Sequence, residues 1–460
     1  MRETMVNRSW DELAVGDSAS ATRVCKPSDI ELFGLVSGDL NPNHYGAAEG
    51  VTAKGRPIAH SMWITSLFSA VMGNDLPGPG TVLKGQDLTY ISPLVVGDTV
   101  TVEVTVMEKT PPSEVTLGLK ALNSLGQVIT TGTARVTAPL VKLTTKAPEL
   151  HEVALHRRRH VFHDLIERAK AGPAITVSVC HPCDQVSLEG PLDAAKLGLI
   201  IPILVGPEAR IRAVAQEHGF DLSGIRIVDA VHSHDSAAKS VALCRSGEAQ
   251  ALMKGSLHTD EMMHEVAARD TGLRTARRIS HVFIFDVPTY PRMLMVTDAA
   301  INIYPTLEDK ADIAQNAINL GQVLGVETPK VAILSAVETV YPKITSTIEA
   351  AALCKMADRG QITGGVLDGP LAFDNAISAE AARIKKINSP VAGQADILLV
   401  PDLEAGNMLA KQLSYLAEAD AAGIVLGARV PIILTSRADS VESRMASAAV
   451  ASLLAKASKL

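Results

Sequence analysis

The feature that most constrains the fold is a change of hydrophobic period part-way along the chain. From Val82 to Thr137 apolar and polar residues alternate, most clearly in Thr99-Val100-Thr101-Val102-Glu103-Val104-Thr105-Val106, then in Glu114 to Leu122 and Gln127 to Thr137. A period of two buries one face of a strand and wets the other, as antiparallel sheets covered on one side require. From Ile175 onward, short uninterrupted apolar stretches alternate with helical segments instead: Ile175-Val179, Ile200-Val205, Ala251-Met253, Val282-Phe285, Met293-Val296, Val331-Leu334, Ile397-Val400 and Ile432-Leu434. Strands buried on both faces and joined through helices predict a parallel α/β sheet. Two patterns imply two folding units, and 460 residues exceed what one hydrophobic core usually supports.

Ahead of the alternating stretch, Pro57 to Met72 reads as a mostly apolar helix with Pro57 in its first turn and small residues (Ala59, Ser61, Ser66, Ser69, Ala70) that let a sheet approach. A helix wrapped by a curved antiparallel sheet is the economical arrangement. Lys142 to Pro148 is poor in strand signals and leads into a basic, histidine-rich helix near His151 to Lys170. The domains are therefore placed at residues 1–148 and 149–460.

Composition narrows the function classes. The chain is 47% hydrophobic and 20% charged, and its longest apolar runs, Leu197 to Val205 and Ile424 to Leu434, fall short of a membrane span or are broken by charge. Met1 to Val15 carries Arg, Glu, Asp and Trp where an export signal needs an apolar stretch, so a cytoplasmic protein is expected. Lys plus Arg number 43 against 50 Asp plus Glu, with 3% aromatics, which argues against a phosphate-tracking surface or base-stacking platforms and hence against nucleic acid. The five cysteines are too few and too scattered for a disulfide framework. Cys180-His181-Pro182-Cys183 has CxxC spacing, but no second pair completes a zinc site, so free thiols at a strand end and no metal are expected.

The first chemical candidate is Asp39-Leu40-Asn41-Pro42-Asn43-His44. Ser28-Asp29-Ile30-Glu31 opens a helix with Ile30, Leu32, Phe33 and Val36 expected inward, and Ser37-Gly38 closes it. Pro42 stops the helix from continuing, so Asp39 and His44 can converge across a turn and hold a water between carboxylate and imidazole. Alone, the segment reads more readily as a turn in which Asp and Asn cap backbone groups. In the order Ser37 to His44, Ile58-Ala59-His60-Ser61-Met62, Pro77-Gly78-Pro79-Gly80-Thr81 and Val96-Gly97-Asp98-Thr99-Val100, the sequence resembles the MaoC-like family of (R)-specific enoyl-CoA hydratases over residues 10 to 140. The resemblance implies a usually dimeric hot-dog fold. It also implies a catalytic Asp39/His44 dyad, Asn41 as its orienting residue, and His60 and Ser61 at the substrate, with Ser61 where the family has a Gly whose amide meets the thioester oxygen. The family's acidic residue two places beyond the dyad His is Gly46 here.

The second candidate lies where apolar strands run into polar residues, since open α/β sheets bind ligands at strand carboxyl ends. Ile397 to Val400 leads into Pro401-Asp402-Leu403-Glu404-Ala405-Gly406-Asn407, and Ile432 to Leu434 into Thr435-Ser436-Arg437-Ala438-Asp439-Ser440. Arg437 offers a planar fork to an anion and the following helix start adds N–H groups, although a capped helix with Arg437 paired to Asp439 fits this segment as well. With Met253-Lys254-Gly255, Ile279-Ser280-His281-Val282, Thr297-Asp298-Ala299-Ala300-Ile301-Asn302 and Val391 to Asp396, the order resembles the phosphate acetyl/butyryltransferase family over residues 150 to 460. That implies a two-lobed α/β domain of isocitrate/isopropylmalate dehydrogenase-like fold whose last segment returns to the first lobe. It further implies Ser436 and Arg437 as catalytic, with Lys254, Gly255, Asp402, Gly406, Asn407 and Asp439 at the substrate. Acetyl-specific members carry an Asp base six residues beyond the Arg, where this chain has Ser443, and a family Arg aligns near His264 without a match.

The combined expectation is an α+β hot-dog domain followed by a two-lobed α/β domain, hydrating 2-enoyl-CoA and exchanging acyl groups between CoA and phosphate. No cofactor is expected to be tightly bound: CoA thioesters and phosphate are the substrates, and a homo-oligomer is implied. The alternative is an active hydratase with a catalytically weak, acyl-CoA-sensing or oligomerising C-terminal domain, which Ser443 favours. A hot-dog thioesterase fits the Asp39/His44 pattern less well, and a nicotinamide dehydrogenase lacks a GxGxxG fingerprint.

Overall fold

A computed structural model describes residues 4–46, 56–149, 153, 161–434 and 440–457. Contacts divide the chain into two compact units, Met1–Leu155 and His156–Leu460. Among the described residues, no helix is long and apolar enough to cross a membrane.

The first unit contains strands β1 (Thr4–Val6), β2 (Ser18–Val24), β3 (Val82–Tyr90), β4 (Thr99–Thr110), β5 (Glu114–Asn123), β6 (Val128–Thr137) and β7 (Thr144–Lys146). β1 and β7 pair with each other, while the others form an antiparallel five-stranded sheet in the order β2-β4-β5-β6-β3. The alternation of β4 is realised directly: Val100, Val102, Val104 and Val106 are fully buried and the intervening residues are half-buried. In register with them, Ala121, Leu119 and Leu117 of β5 extend the same apolar face. Helix Ser61–Asn74 lays Trp63, Ile64, Phe68, Val71 and Met72 into this core.

That helix starts at Ser61 rather than at Pro57. Ile58 and Ala59 are extended, with Ile58 N–H donating to the Asn43 carbonyl at 3.1 Å and Ala59 N–H to Leu94 at 2.8 Å, so their donors are committed to the turn that carries His44 and to the loop before β4. The preceding helix, Pro27–Ser37, ends as expected at Gly38, whose φ of +75° is the left-handed conformation glycine tolerates. Its inward face differs from expectation. Ile30 and Gly34 are buried, one helical turn apart, while Leu32 and Val36 are exposed.

The second unit contains β8 (Ile175–Cys180), β9 (Ile200–Gly206), β10 (Arg226–Asp229), β11 (Ala251–Lys254), β12 (Ser280–Asp286), β13 (Leu294–Thr297), β14 (Lys330–Leu334), β15 (Val366–Leu371), β16 (Ile397–Leu399), β17 (Asp420–Leu426) and β18 (Ile432–Ile433). The expectation of two α/β lobes with a parallel sheet needs correction here. These strands form one continuous eleven-stranded sheet, β10-β9-β8-β11-β18-β17-β12-β13-β16-β14-β15. The outer stretches pair parallel, but β18/β17, β17/β12 and β12/β13 are antiparallel. β17 reverses direction between two strands that point the same way, and β13 begins a parallel block of opposite sense. Helices cover the sheet, and the last of them, Val441–Ala457, returns to the start of the unit, where Lys456 Nζ donates to the Ala169 carbonyl at 2.7 Å.

Both tryptophans of the chain, Trp10 and Trp63, belong to the first unit, so their fluorescence reports its unfolding selectively. Phe68 is fully buried at the centre of that core. Phe68→Ala is expected to lower the unfolding free energy read from tryptophan fluorescence in denaturant by about 3–5 kcal/mol.

Candidate functional site

In the first unit, the turn after Gly38 brings Asp39 and His44 together. The Asn41 side chain accepts from Asn43 N–H at 3.2 Å and so caps the single 3-10 turn Pro42–His44 that carries the histidine. Asp39 Oδ1 accepts from Asn41 N–H at 3.1 Å, which leaves Oδ2 facing His44 Nε2 at 3.6 Å. The capping turn and the convergent pair are therefore one structure. The gap exceeds a direct hydrogen bond, yet one water can bond both atoms. His44 Nδ1 lies 2.8 Å from the Ile58 carbonyl; donating there puts the ring proton on Nδ1 and turns the Nε2 lone pair towards Asp39.

The main chain of Asp39 is held from two sides. Its carbonyl accepts from Tyr45 Oη at 3.1 Å and from His60 Nε2 at 3.2 Å. Gly34 makes the first contact possible, because a Cβ there would collide with the Tyr45 hydroxyl. The buried His60 ring stacks on His44 with centroids 3.7 Å apart, and its Nδ1 has no partner among the described residues. Ser61 is the first residue of the following helix, where N–H groups lack intrahelical acceptors. Asp39, His44 and His60 offer ligand atoms within 4.8 Å of one another, although His60 would have to release the Asp39 carbonyl to join a metal.

In the second unit, a cavity of about 720 Å³ opens at the carboxyl ends of β11 and β18. Lys254, His258, Asn407, Lys411, Ser440 and Ser443 line its polar side, and Phe283, Phe285, Ala410, Ala419 and Ala421 its apolar side. Ser436, Arg437 and Asp439 lie outside the described residues, but the residues bounding that segment, Leu434 and Ser440, both line the cavity. Ser443 is a cavity residue whose hydroxyl accepts from Ser440 Oγ at 2.9 Å. His264 is exposed and is not among the lining residues.

Other expected site residues act through the backbone. Asp402 caps helix Leu403–Leu416 by accepting from Ala405 N–H at 2.9 Å. Gly406 lets that helix sit on the β13 loop, since a Cβ would stand 2.8 Å from the Asp298 carbonyl and from Val400 Cγ2. The helix thereby delivers Asn407, whose Nδ2 donates to the Ala299 carbonyl at 3.3 Å. Gly255 packs against the Cys180 and His181 carbonyls with no room for a side chain, and its N–H is committed to Cys180 at 2.8 Å.

Two quoted motifs also turn out to be scaffold. Asp298 gathers the N–H groups of Ala300, Ile301 and Asn302 at 3.0–3.1 Å; burial pushes its carboxyl up from the usual range and these donors oppose that shift. The buried Asp396 ties Arg292 at 3.0 Å to Lys330 N–H at 2.9 Å. Cys180 and Cys183 are buried free thiols, pushed up by burial to about 12 and about 11. Sequence reasoning assigned no role to His281, Phe283 and Phe285. The available signal was a histidine alternating with aromatics inside a strand buried on both faces.

Residues 12–124 match the family described as MaoC like domain, and residues 231–452 match Phosphate acetyl/butaryl transferase. A phosphate acetyltransferase of Rhizobium meliloti is 69% identical over 295 residues, covering 64% of this chain and 93% of that protein. A phosphate butyryltransferase of Clostridium acetobutylicum is 42% identical over 294 residues, covering 64% of this chain and 98% of its own length. The crystal structure of a branched-chain phosphotransacylase from Enterococcus faecalis V583 aligns with a TM-score of 0.54 at 31% identity, covering 61% of this chain and 99% of that one. The C-terminal unit thus has a phosphotransacylase fold, which replaces the expected isocitrate/isopropylmalate dehydrogenase-like fold.

Gly406→Ala tests the packing role of that glycine. The added Cβ must displace the helix, and such overpacking costs about 1–3 kcal/mol. Hydrogen exchange should accelerate across Leu403–Leu416 and stay unchanged across Ser61–Asn74.

Proposed function

We propose a bifunctional acyl-CoA enzyme, on the premise that the chain belongs to the phosphate acetyl/butyryltransferase family and carries a MaoC-like domain ahead of it. Residues 1–148 hydrate a 2-enoyl-CoA to the (3R)-3-hydroxyacyl-CoA, and residues 149–460 exchange an acyl group between CoA and inorganic phosphate. The protein works in the cytoplasm as a homo-oligomer, on CoA thioesters and phosphate and without a resident cofactor.

For hydration, the observation that carries the reading is the 3.6 Å separation of Asp39 Oδ2 from His44 Nε2. Both are acceptors in the state described above. One water donates a hydrogen to each and directs its lone pair at the β-carbon. The dyad takes a proton from this water and returns one to the α-carbon. Enolate charge on the thioester oxygen meets the Ser61 N–H at the helix start. His60 holds the Asp39 carbonyl and so fixes where the carboxylate points, while Asn41 does the same for the turn that carries His44. Asp39→Asn and His44→Ala should each slow hydration of crotonyl-CoA by roughly 10² to 10⁴. The absorbance of the enoyl thioester follows the reaction, and exchange with phosphate in the same preparations should be unchanged.

For acyl transfer, the cavity flanked by Leu434 and Ser440 carries the reading. A phosphate oxygen attacks the thioester carbonyl, the carbon–sulfur bond breaks, and the thiolate takes a proton as acyl phosphate forms. Arg437 holds phosphate through two parallel hydrogen bonds and stabilises the oxyanion, and Ser436 places the reacting groups. Lys254 and Asn407 contact substrate from the cavity wall. Asp402, Gly406 and Gly255 serve it by seating the elements that carry them. Asp439 acts as base for the thiol in the reverse direction. Arg437→Ala should reduce phosphate-dependent thiol release by about 10² to 10³, and Arg437→Lys, a point charge without the fork, should already impair it. Hydration should not change in either variant.

Ser443 favours a second reading, an acyl-CoA-sensing C-terminal domain, because its hydroxyl stands on the cavity wall where acetyl-type relatives place a carboxylate. Tight acyl-CoA binding without phosphate-dependent exchange, from acetyl- to hexanoyl-CoA, is the outcome that would establish it.

A further inference from the structure

Alternate residues of β12 face one way, and His281, Phe283 and Phe285 all line the cavity. The phenylalanines together with Ala410, Ala419 and Ala421 supply apolar lining, and His281 is a buried polar residue of the same cavity. The imidazole is 1% exposed, and its Nδ1 has no hydrogen-bond partner among the described residues. A buried polar atom left unsatisfied costs stability, so a position that only filled space would be better served by an apolar side chain.

The surroundings of the ring are built rather than incidental. A Cβ on Gly423 would stand 3.0 Å from His281 Nε2 and 2.8 Å from the Leu434 carbonyl, so this glycine makes room for the imidazole beside the end of β18. Leu434 is the last described residue before the segment that carries Ser436 and Arg437. The strand is held beside the ring by one main-chain and one side-chain contact. Thr297 Oγ1 donates to the His281 carbonyl at 2.8 Å, and Asn316 donates to Ser280 Oγ at 2.9 Å. The Phe283 ring meets the imidazole at 4.3 Å between centroids and 69° between planes.

We propose that His281 is a further catalytic residue, whose neutral ring N–H donates to the carbonyl oxygen of the acyl group in this cavity while the acyl tail lies along Phe283 and Phe285. The inference rests on the transacylation reading above. Desolvation pushes the imidazole down to about 3, so it is uncharged near neutral pH and is a poor proton acceptor, which suits a donor that keeps its proton. When phosphate attacks, the carbonyl π pair moves onto oxygen and the N–H bond to that oxygen strengthens; when the intermediate collapses, the pair returns and the thiolate leaves. With the Phe283 ring 4.3 Å from the imidazole and Phe285 two residues further along the strand, a longer acyl tail meets more apolar surface than an acetyl group does.

The test compares His281→Phe, which removes the donor, with His281→Gln, which retains an N–H. In His281→Phe, kcat for butyryl-CoA with phosphate should fall about 10²-fold with KM for phosphate unchanged, and His281→Gln should recover about tenfold of that loss. Hydrogen exchange at wild-type rates across β12 and helix Val441–Ala457 verifies in both variants that the C-terminal unit is intact. A second readout needs no turnover. A ketone analogue of butyryl-CoA, carbon-13 labelled at the carbonyl, should show its carbonyl resonance moved downfield when bound to wild type and to His281→Gln, but not when bound to His281→Phe. A Phe variant within about threefold of the wild-type kcat, or with the same bound carbonyl shift, overturns the proposal. So does a folded Gln variant that matches the Phe variant in both. If the wild-type protein fails to exchange any acyl group with phosphate, the transacylation reading falls, and the carbonyl shift still decides whether His281 makes this contact.

Discussion

Strand β17 runs antiparallel to both of its neighbours, β18 and β12, and the chemistry of the C-terminal unit depends on that reversal. Two antiparallel steps restore direction, so β12 points the same way as β18 and β11. The carboxyl ends of β11 and β18 then open beside the face of β12 rather than against its edge. Lys254 and Leu434 arrive at the cavity from strand ends, whereas His281, Phe283 and Phe285 arrive along a strand face. The reversal also explains why the cavity has an apolar side. A strand face presents every second side chain to one place, and on β12 two of those side chains are phenylalanine.

This reversal marks the limit of what sequence pattern conveyed about the fold. Alternation in β4 to β6 was legible because each strand has one wet face, so the period itself names the buried residues. The apolar strands of the second unit were legible as strands but not as directed ones, because a strand buried on both faces carries no record of which way its neighbours run. β17 escaped because Asp420-Ala421-Ala422-Gly423 precedes its apolar Ile424-Val425-Leu426 end. β10 escaped as a half-exposed edge with charged termini, and β15 because Gly369-Pro370 interrupts it. Helix starts were blurred for a similar reason. Nothing in Pro57-Ile58-Ala59 shows that the donors of Ile58 and Ala59 are taken by carbonyls outside the segment, at Asn43 and Leu94.

The sites were legible to different depths. Asp39 and His44 are close in the chain, and a proline-bounded turn leaves them few ways to avoid one another, so their proximity was legible locally, whereas the dyad reading needed the order of motifs along the chain. What the sequence did not convey is how Asp39 is held, because Tyr45, His60 and Gly34 act on its carbonyl rather than on its carboxylate. In the second unit several motif residues also make structural contacts that the sequence did not convey. Asp402, Gly406, Gly255, Asp298 and Asp396 spend their polar atoms, or their lack of a side chain, on neighbouring backbone. A motif records what a fold and a reaction jointly require, and only coordinates separate the two.

On the proposed reading, both units face the same electronic problem, since each must stabilise charge that moves onto a thioester oxygen. They meet it at different depths. In the first unit the thioester oxygen is assigned to a backbone N–H at a helix start, next to an aspartate whose side chain is 48% exposed, so water and a charged base can work side by side. In the second, His281 is 1% exposed and shares the cavity lining with Phe283 and Phe285, where a charged imidazole would be costly. A neutral donor avoids that cost and, on the proposed reading, leaves the positive charge to Arg437. The division is chemically sensible for a reaction with an anionic nucleophile. Phosphate needs a cation to bind it, whereas the carbonyl oxygen, neutral until attack, needs a donor that does not draw the nucleophile to itself.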